Sequence, residues 1–453
     1  MLKRGVSLLI LLAALLLFHQ AGATHIRAGE ITIERKNCQS LTFYIYVTGY
    51  VDLIDGQVLF GGGTLDFGDG TPPIENIRQA YENGDPRIEL LLDEVDLGGG
   101  NGVGITRFRI EHTYGGNGNY IVSYLEANRN EGILNMDNSV NTTFYVESIL
   151  RIDPFLGCNN SPVMLIAPID FGCSGVAFYH NPGAFDQDGD SLAFEFVVPK
   201  KNVGTPVDNF RQVNDPEFGG RKEDGSGPAT FTIDPITGDI VWDAPGLVGE
   251  YNIAFVVREF RKVQGQFHFM GSVVRDMQII IKDCDNNRPE LDIPDDLCVE
   301  AGTNIQELIK ATDPDGDQVK IEVFSAVLHF PNSPATFQPD PPTYQDVPAQ
   351  LLFEWQTTCD HIREQPYLVH FKATDKPPLG VALVEFATMN ITVVAPSPKG
   401  LTSTVNNDRT IDLTWDPYLC TNADSIQIWR RVDSYGITRD LCQTGMPDYA
   451  GYT

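Results

Sequence analysis

Two short acidic loops carry the clearest chemical pattern in this sequence. Both have the form Asp-x-Asp-Gly-Asp, and their aspartates are Asp186, Asp188, Asp190, Asp313, Asp315 and Asp317. Alternate aspartates around a tight glycine turn bring carboxylates together, and Ca²⁺ prefers about six to eight oxygen ligands. The pattern therefore predicts a calcium cofactor at one or both loops. The alternative is an Asp-rich surface turn without an ion, because Asp and Gly also populate plain turns.

The loops are not EF-hands. An EF-hand has a bidentate Glu at its twelfth position, where counting from Asp186 reaches Val197 and counting from Asp313 reaches Phe324. A strand-like segment follows each loop where an EF-hand has a helix. Further ligands must therefore come from elsewhere in the chain. Acidic residues near the predicted domain junctions are the candidates: Asp283, Asp285, Glu300 and Asp375.

Catalytic motifs are absent from the sequence. It has no G-x-S-x-G elbow, no H-E-x-x-H, no P-loop and no dinucleotide fingerprint. We expect the scattered His112, His361 and His370 to be structural. Tyr44 and Tyr46 share one face of a predicted strand, where they could stack on a sugar ring. Burial against a neighbouring sheet is the favoured interpretation of this pair. The sequence predicts a protein that is not an enzyme.

The elements that must position the acidic loops are strands. Apolar and polar residues alternate over residues 41–47, 253–257, 277–281 and 411–415, which is the pattern of half-buried strands. Clusters of Gly, Asn, Asp and Pro separate such segments and indicate turns. Sustained helical periodicity is nearly absent. The fold class predicted is all-β, with tandem immunoglobulin-like β-sandwich domains after a cleaved signal peptide.

An internal repeat relates the two acidic loops. Residues 184–196 can be laid over residues 311–323, and in both copies the loop opens into an alternating strand. A Trp follows in each copy (Trp242, Trp355), and then a strand led by Tyr (Tyr251, Tyr367). Two copies of one sandwich in series is the simplest account of this pattern.

The N-terminus predicts export. Lys3 and Arg4 precede an apolar run over residues 6–18, and the small residues Ala21-Gly22-Ala23 follow it, as in a secretory signal peptide. The run is shorter than the roughly 20 residues that a membrane-spanning helix needs. We therefore expect no transmembrane segment after cleavage and an extracellular or outer-surface location. The formal net charge of −29 excludes nucleic acid as a partner.

Eight cysteines in an exported chain favour disulfides. None forms a C-x-x-C pair, so zinc and redox motifs are unsupported. Spacing alone does not determine the connectivity. Pairing within each proposed domain would give Cys158–Cys173, Cys298–Cys359 and Cys420–Cys442, and we state these three pairs as an expectation.

Several segments resemble known families of extracellular domain. The turn over residues 65–71 (LDFGDGT), with His112-Thr113-Tyr114 and residues 118–125 downstream, resembles the polycystic-kidney-disease (PKD) domain. The repeated units resemble cadherin-like or dystroglycan-type sandwiches, on residues 231–242 (FTIDPITGDIVW) and Lys372-Ala373-Thr374-Asp375. Residues 411–415 and 426–431 resemble the opening strands of a fibronectin type III domain.

These resemblances imply a division of the chain. The signal peptide is residues 1–23. The first unit, a PKD-like sandwich, is residues 24–152. The second unit, cadherin- or dystroglycan-like, is residues 153–284, and the third unit, also cadherin-like, is residues 285–395. The C-terminal segment, residues 396–453, would be an incomplete fibronectin type III-like domain, which suggests a piece of a longer protein.

The arrangement of these units implies a function. With residues 24–31 (THIRAGEI) after the signal peptide, it resembles the gliding-motility-associated surface proteins that Bacteroidetes export by the type IX system. This resemblance implies a non-catalytic stalk or adhesin, stiffened by calcium, whose partners are surface polysaccharide or other surface proteins. The alternative is a carbohydrate-binding or spacer region of a secreted polysaccharide-degrading enzyme, which the sequence downstream of Thr453 would distinguish.

Overall fold

The computed structural model describes residues 26–52, 60–96, 102–127, 129–433, 436, 442, 445–446 and 448–452. The predicted signal peptide, residues 1–23, lies outside these residues. Strands dominate the part of the chain that is described, so the predicted all-β fold class of tandem sandwiches is confirmed. No helix among the described residues is both long and apolar enough to cross a membrane.

The strands of the first unit precede those of the second along the chain. In the first unit they are β1 (Ile26–Arg35), β2 (Thr42–Asp52), β3 (Thr64–Asp66), β4 (Ile88–Asp96), β5 (Gly102–Thr113), β6 (Gly118–Glu126) and β7 (Phe144–Ile152), with the helix α1 (Ile77–Glu82) between β3 and β4. In the second unit they are β8 (Val163–Met164), β9 (Phe171–Cys173), β10 (Phe178–His180), β11 (Ala184–Phe185), β12 (Ser191–Val197), β13 (Lys200–Asn202), β14 (Thr205–Pro206), β15 (Thr230–Ile233), β16 (Ile240–Asp243), β17 (Gly249–Val263) and β18 (Gln266–Lys282).

The remaining strands belong to the third unit and the C-terminal segment. These are β19 (Glu290–Asp292), β20 (Leu297–Glu300), β21 (Asn304–Thr312), β22 (Gln318–Phe324), β23 (Thr336–Gln338), β24 (Ala349–Gln356), β25 (Tyr367–Lys376), β26 (Val384–Val394), β27 (Thr402–Val405) and β28 (Ile411–Thr414). Single 3₁₀ turns lie at Ser139–Asn141, Pro216–Phe218, Ala326–His329, Cys359–His361 and Asp448–Ala450.

The first unit encloses one apolar core between β1, β2, β5 and β4 on one side and β3, β6 and β7 on the other. The inward residues of β2 are Phe43, Ile45 and Val47, which are buried as the alternation predicts. They share a core with Tyr124 of β6 and Val146 of β7.

The long strand β18 joins the first and second units. One edge of β18 pairs with β7 at residues 271–273, with β1 at residues 276–277 and, in parallel, with β9 at residues 280–282. Its other edge pairs with β17. One hydrogen-bonded sheet therefore crosses the division placed at 152/153. The boundaries at 152/153, 284/285 and 395/396 stay predictions.

Buried ion pairs reinforce this shared sheet. Arg129 Nη2 lies 2.7 Å from Asp276 Oδ2, and both side chains are almost fully buried. Arg275 makes a second buried ion pair with Glu30 of β1. Because each of these bonds joins residues that lie far apart in the sequence, they tie β1 and the segment after β6 to β18.

The second and third units repeat one packing arrangement. Each packs a small sheet (β10–β16–β15, or β19–β21–β24–β23) against a second sheet that carries the strand after the acidic loop. The Trp242 and Tyr251 rings meet edge to face at 4.9 Å, and the Trp355 and Tyr367 rings meet edge to face at 5.0 Å. Both tryptophans are fully buried, as expected of large aromatic rings at the centre of a sandwich.

The C-terminal segment has little regular structure. β27 and β28 form a two-stranded hairpin, but the alternating residues 426–431 form no strand in the part of the chain that is described. A fibronectin type III domain is therefore not confirmed here. Cys420 instead packs into the core of the third unit, and the Tyr418 hydroxyl donates to the Pro396 carbonyl at 2.7 Å.

The expected disulfide pairs Cys158–Cys173, Cys298–Cys359 and Cys420–Cys442 are wrong. The structure instead pairs Cys38–Cys158, Cys173–Cys284, Cys298–Cys442 and Cys359–Cys420. The expectation assumed that each bridge closes within one domain, whereas three of the four link neighbouring parts of the predicted division. Pairing of β9 with the end of β18 brings Cys173 to Cys284. The spacing of the cysteines in the sequence does not predict this strand pairing.

Candidate cation sites at two acidic loops

The first acidic loop connects β11 to β12 and closes on its own backbone. Asp186 Oδ1 accepts hydrogen bonds from the backbone N–H groups of Asp188 at 2.9 Å and Asp190 at 2.8 Å. Gly189, at φ +83°, occupies the left-handed conformation that the turn requires. These bonds use one oxygen of Asp186, and its other oxygen, Oδ2, is buried without a hydrogen-bond partner among the described residues.

The segment between β7 and β8 holds this loop in place. The backbone N–H of Asn160 donates to Asp188 Oδ2 at 2.7 Å, and its side-chain amide donates to both oxygens of Asp188 at 3.2 Å. Arg261 of β17 donates to Asp190 from Nε at 2.8 Å and from Nη2 at 2.5 Å. Asp188 and Asp190 are thus held by groups from outside the loop.

A fourth carboxylate reaches the loop from β17. Glu259 lies opposite Leu192 in the β12–β17 pair and is fully buried. Its Oε2 accepts a hydrogen bond from the Asn159 amide at 3.1 Å. Its Oε1 is buried and has no hydrogen-bond partner among the described residues, and the same holds for Asp186 Oδ2.

Three carboxylates converge here closely enough to share one ion. One oxygen each from Asp186, Asp190 and Glu259 lie within 4.8 Å of one another. Burial, together with the charges of Asp186 and Asp190, raises the pKa of Glu259 far above its ordinary 4.5. Burial likewise raises the pKa of Asp186. A divalent ion bound among these carboxylates would satisfy the two buried oxygens that have no partner among the described residues.

The second acidic loop repeats this design residue by residue. Asp313 Oδ1 accepts from the backbone N–H of Asp315 at 2.9 Å and of Asp317 at 3.1 Å. The backbone N–H of Asn287 donates to Asp315 Oδ2 at 2.8 Å. Asp375 of β25 lies opposite Val319 of β22, which is the place that Glu259 takes in the first copy.

The second loop nevertheless does not assemble an equivalent group. Both oxygens of Asp375 are occupied, Oδ1 by the backbone N–H of Leu383 and Oδ2 by the Asn286 amide, each at 2.7 Å. Burial raises the pKa of Asp375 to about 7. Asp313 Oδ2 is buried and has no partner among the described residues. Of the described carboxylates, those at the first loop alone form a group of three within metal-ligand reach.

The structure therefore brings together some of the six predicted aspartates and separates others. Asp186 and Asp190 join the convergent group, whereas Asp188 and Asp315 are held by asparagines, and Asp313 and Asp317 belong to the less assembled second loop. Asp283, Asp285 and Glu300, offered as extra ligands, are not members of the group.

Neither Glu259 nor the two asparagines are among the site residues predicted from the sequence. A signal for the asparagines exists, because Asn160 precedes Asp188 by 28 residues and Asn287 precedes Asp315 by the same 28 residues. An Asn-Asn-x-Pro motif therefore accompanies each loop at constant spacing. No comparable motif marks Glu259, since its place depends on strand pairing.

The other polar groups singled out in the sequence have structural partners. His112 stacks on Phe67 at 3.8 Å and pairs through Nε2 with Asp69 Oδ2 at 2.8 Å. The Tyr46 hydroxyl donates to Glu34 at 2.6 Å, and Arg109 covers the Tyr44 ring at 4.6 Å. A neighbouring sheet was expected to cover the strand face that carries Tyr44 and Tyr46, but individual side chains cover it instead.

Comparisons with known proteins add little. No family model matches this chain, and no curated protein matches it. Among solved structures, the titin domains Z1Z2 in complex with telethonin are similar over 53% of this chain and 100% of that one, at 8% identity and a TM-score of 0.17. Zebrafish RET cadherin-like domains 1 to 4 are similar over 83% of this chain and 74% of that one, at 9% identity and a TM-score of 0.16. Mouse cadherin-23 EC22–24 is similar over 68% of this chain and 86% of that one, at 14% identity and a TM-score of 0.16. Similarity at this level supports no inference about function, which depends on this chain's own residues.

Proposed function

We propose that this protein is a secreted, non-catalytic component of a cell surface, in which tandem sandwiches form a stalk that calcium stiffens. The observation that carries the proposal is the convergent group of Asp186, Asp190 and Glu259, in which two buried oxygens have no hydrogen-bond partner in the part of the chain that is described. Oxygen-only donors of this kind suit a hard cation such as Ca²⁺.

The position of the group supports a mechanical role for the ion. Asp186 and Asp190 lie on the loop between β11 and β12, Glu259 lies on β17, and Asn159 belongs to the segment that follows the first unit. Arg261 also donates to the carbonyl oxygens of Leu156 and Cys158 at 2.7 Å. The hydrogen bonds of this one side chain therefore connect the acidic loop to the segment that follows the first unit. A cation held by these residues would stiffen the junction between the first and second units.

Disulfides support an exported stalk as well. Four bridges link residues that lie 61 to 144 positions apart in the sequence, and such bridges persist in oxidising compartments outside the cytoplasm. The predicted signal peptide and the net charge of −29 agree with export. Within this proposal the partners are surface polysaccharide or other surface proteins, and the wider role is gliding-motility-associated adhesion.

Calcium titration with thermal melts tests the proposal. A ligand that binds only the folded state at about 100 times its Kd adds roughly 2.7 kcal/mol, which raises the melting temperature by several degrees. Glu259→Gln should fold normally, because Gln mimics the protonated Glu, but should lose the calcium-dependent rise. The matched control is Glu195→Gln on the neighbouring strand, which removes an exposed carboxylate paired with Arg258 and should keep that rise. A wild-type melting temperature that is indifferent to calcium would reject the proposal.

A further inference from the structure

One face of the sheet that contains β25 and β26 packs against the second unit. Val384 and Phe386 of β26 form a buried apolar cluster with Ile166 of the second unit. Lys372 of β25 lies opposite Phe386 in the strand pairing, and its Nζ lies 2.5 Å from Asp170 Oδ1 of the second unit. The docking of these two units therefore combines apolar contact with a largely buried ion pair.

A histidine of the second unit lies in this interface. His180 of β10 is almost fully buried, and its ring meets the Phe386 ring edge to face at 6.0 Å. Its Nδ1–H donates to Asp170 Oδ2 at 2.8 Å, which leaves Nε2 as the unprotonated nitrogen of the neutral ring. Nε2 is buried and has no hydrogen-bond partner among the described residues. A proton added there would have no acceptor, so the charged ring is disfavoured while the units are docked.

A second histidine enters the same interface from the third unit. His370 of β25 lies two residues before Lys372, on the same strand face, and is also almost fully buried. Its Nδ1 lies 2.9 Å from Thr388 Oγ1, and its Nε2 has no partner in the part of the chain that is described. Asp239 of the second unit acts on this ring electrostatically, but both oxygens of Asp239 already accept hydrogen bonds within that unit.

Burial makes both rings hard to protonate. It lowers the pKa of His180, and the hydrogen bond to Asp170 opposes this effect. The positive charges of Arg275 and Lys372 lower this pKa further. Burial also lowers the pKa of His370 to about 4. Since an exposed histidine has a pKa of about 6.5, an arrangement that exposes these rings binds protons more readily than the docked one. The stabilisation of docking is therefore complete above about pH 6.5 and is lost as the pH falls toward the docked pKa values.

We propose that docking of the third unit on the second is pH-sensitive: it persists while His180 and His370 are neutral and is released when acid protonates them. Release exposes each charged ring to water, which supplies the acceptor that the interface lacks. The inference goes beyond the proposed stalk and does not depend on the cation site, because neither histidine belongs to the group of three carboxylates. It assigns to the stalk a joint that is closed in neutral medium and opens in acid.

Hydroxyl-radical footprinting of the wild-type full chain tests this inference. Phe386 lies in the interface, whereas Phe371 of the paired strand lies in the core of the third unit. From about pH 7 to about pH 5 the docking equilibrium constant should fall roughly twentyfold if the pKa of His370 alone changes from about 4 to about 6.5 on release. The oxidation rate of Phe386 should rise by about that factor, while Phe371 stays protected.

Two results of that measurement would overturn the inference. One is equal protection of Phe386 at both pH values, because the joint would then be insensitive to acid. The other is a matching rise at Phe386 and Phe371, because the third unit would then unfold instead of undocking.

Neutral replacements separate the two histidines from other effects of acid. Asparagine places an amide near the position of Nδ1 and gains no proton in this range, so the double variant His180→Asn/His370→Asn should lose the pH dependence of Phe386 oxidation. The matched control is His329→Asn, which replaces an exposed histidine of the third unit and should keep the wild-type rise. A full rise in the double variant would overturn the assignment to these histidines. The wild-type measurement remains decisive whether or not the double variant docks.

Discussion

Glu259 and Asp375 occupy equivalent positions in the two repeated units, but their carboxylates have different partners. Glu259 lies opposite Leu192 and Asp375 lies opposite Val319, in each case on the strand paired with the one that follows the acidic loop. The longer glutamate has one buried oxygen with no partner among the residues that the structure describes, whereas both oxygens of Asp375 accept hydrogen bonds. The side chain at this position is therefore one methylene group longer in the unit whose carboxylates converge. In the other unit, the shorter carboxylate is fully hydrogen-bonded.

The first prediction concerns the group that orients Glu259. Asn159→Ala removes the amide that donates to Glu259 Oε2, so it should weaken calcium binding by roughly tenfold or more, as is typical when the partner of a metal ligand is lost. Asn286→Ala makes the matched change at the second loop and should leave calcium affinity unchanged. Titration calorimetry on both variants checks this, and equal losses in the two would contradict the asymmetry between the loops.

The second prediction concerns pH. The folded pKa of Glu259 is raised above its ordinary 4.5 by burial, so the unfolded chain releases this proton at a lower pH than the folded chain does. The calcium-free stability contributed by the group is therefore full below about pH 4.5 and falls as pH rises toward the folded pKa. Urea midpoints between about pH 7 and pH 9 should decline in the calcium-free wild type.

Two comparisons make that pH prediction specific. Glu259→Gln cannot release the proton and should show a flatter pH dependence over the same range. Calcium should also flatten the wild-type curve, because the ion compensates the carboxylates that lose protons. If the wild type and Glu259→Gln decline in parallel, Glu259 is not the group responsible.

The third prediction concerns the joint between the first two units. Asp276→Ala leaves the buried Arg129 guanidinium without its carboxylate, and removal of one partner of a buried pair typically costs about 3–5 kcal/mol. Glu195→Ala breaks an exposed pair with Arg258 and should cost about 1 kcal/mol or less. Urea unfolding measures both losses. Losses of the same size would mean that the buried pair does not hold the shared sheet together.

The fourth prediction concerns the disulfide connectivity. Mass spectrometry of a non-reducing digest should find peptides that join Cys38 to Cys158 and Cys359 to Cys420. Replacement of Cys359 and Cys420 by serine should destabilise the chain by about 2–4 kcal/mol, because the bridge closes a long loop. A peptide that joins Cys158 to Cys173 would contradict this connectivity.

Local pattern predicts much of the fold. Alternation places Phe43, Ile45 and Val47 in the core, and the repeated Trp and Tyr residues identify a packing contact that both units form. These predictions succeed because strand period and core burial depend on neighbours in the sequence. The repeated Asp-x-Asp-Gly-Asp turns are likewise found as loops that open into strands.

Long-range pairing could not be predicted in the same way. The Cys173–Cys284 bridge depends on β9 pairing with the end of β18, and Glu259 reaches its loop because β17 pairs with β12. Residues 426–431 have the alternation of a strand, but no described strand pairs with them. Register and strand partners depend on residues far away in the sequence, so local pattern alone does not determine them.

Crystals grown with terbium, whose anomalous scattering identifies it, give the most direct test of the central claim that calcium belongs at the first loop. We expect an anomalous peak within ligand distance of Asp186, Asp190 and Glu259, and a weaker peak or none at the second loop. A peak at Asp313 and Asp317 with none at Glu259 would show that the cation site has been assigned to the wrong loop.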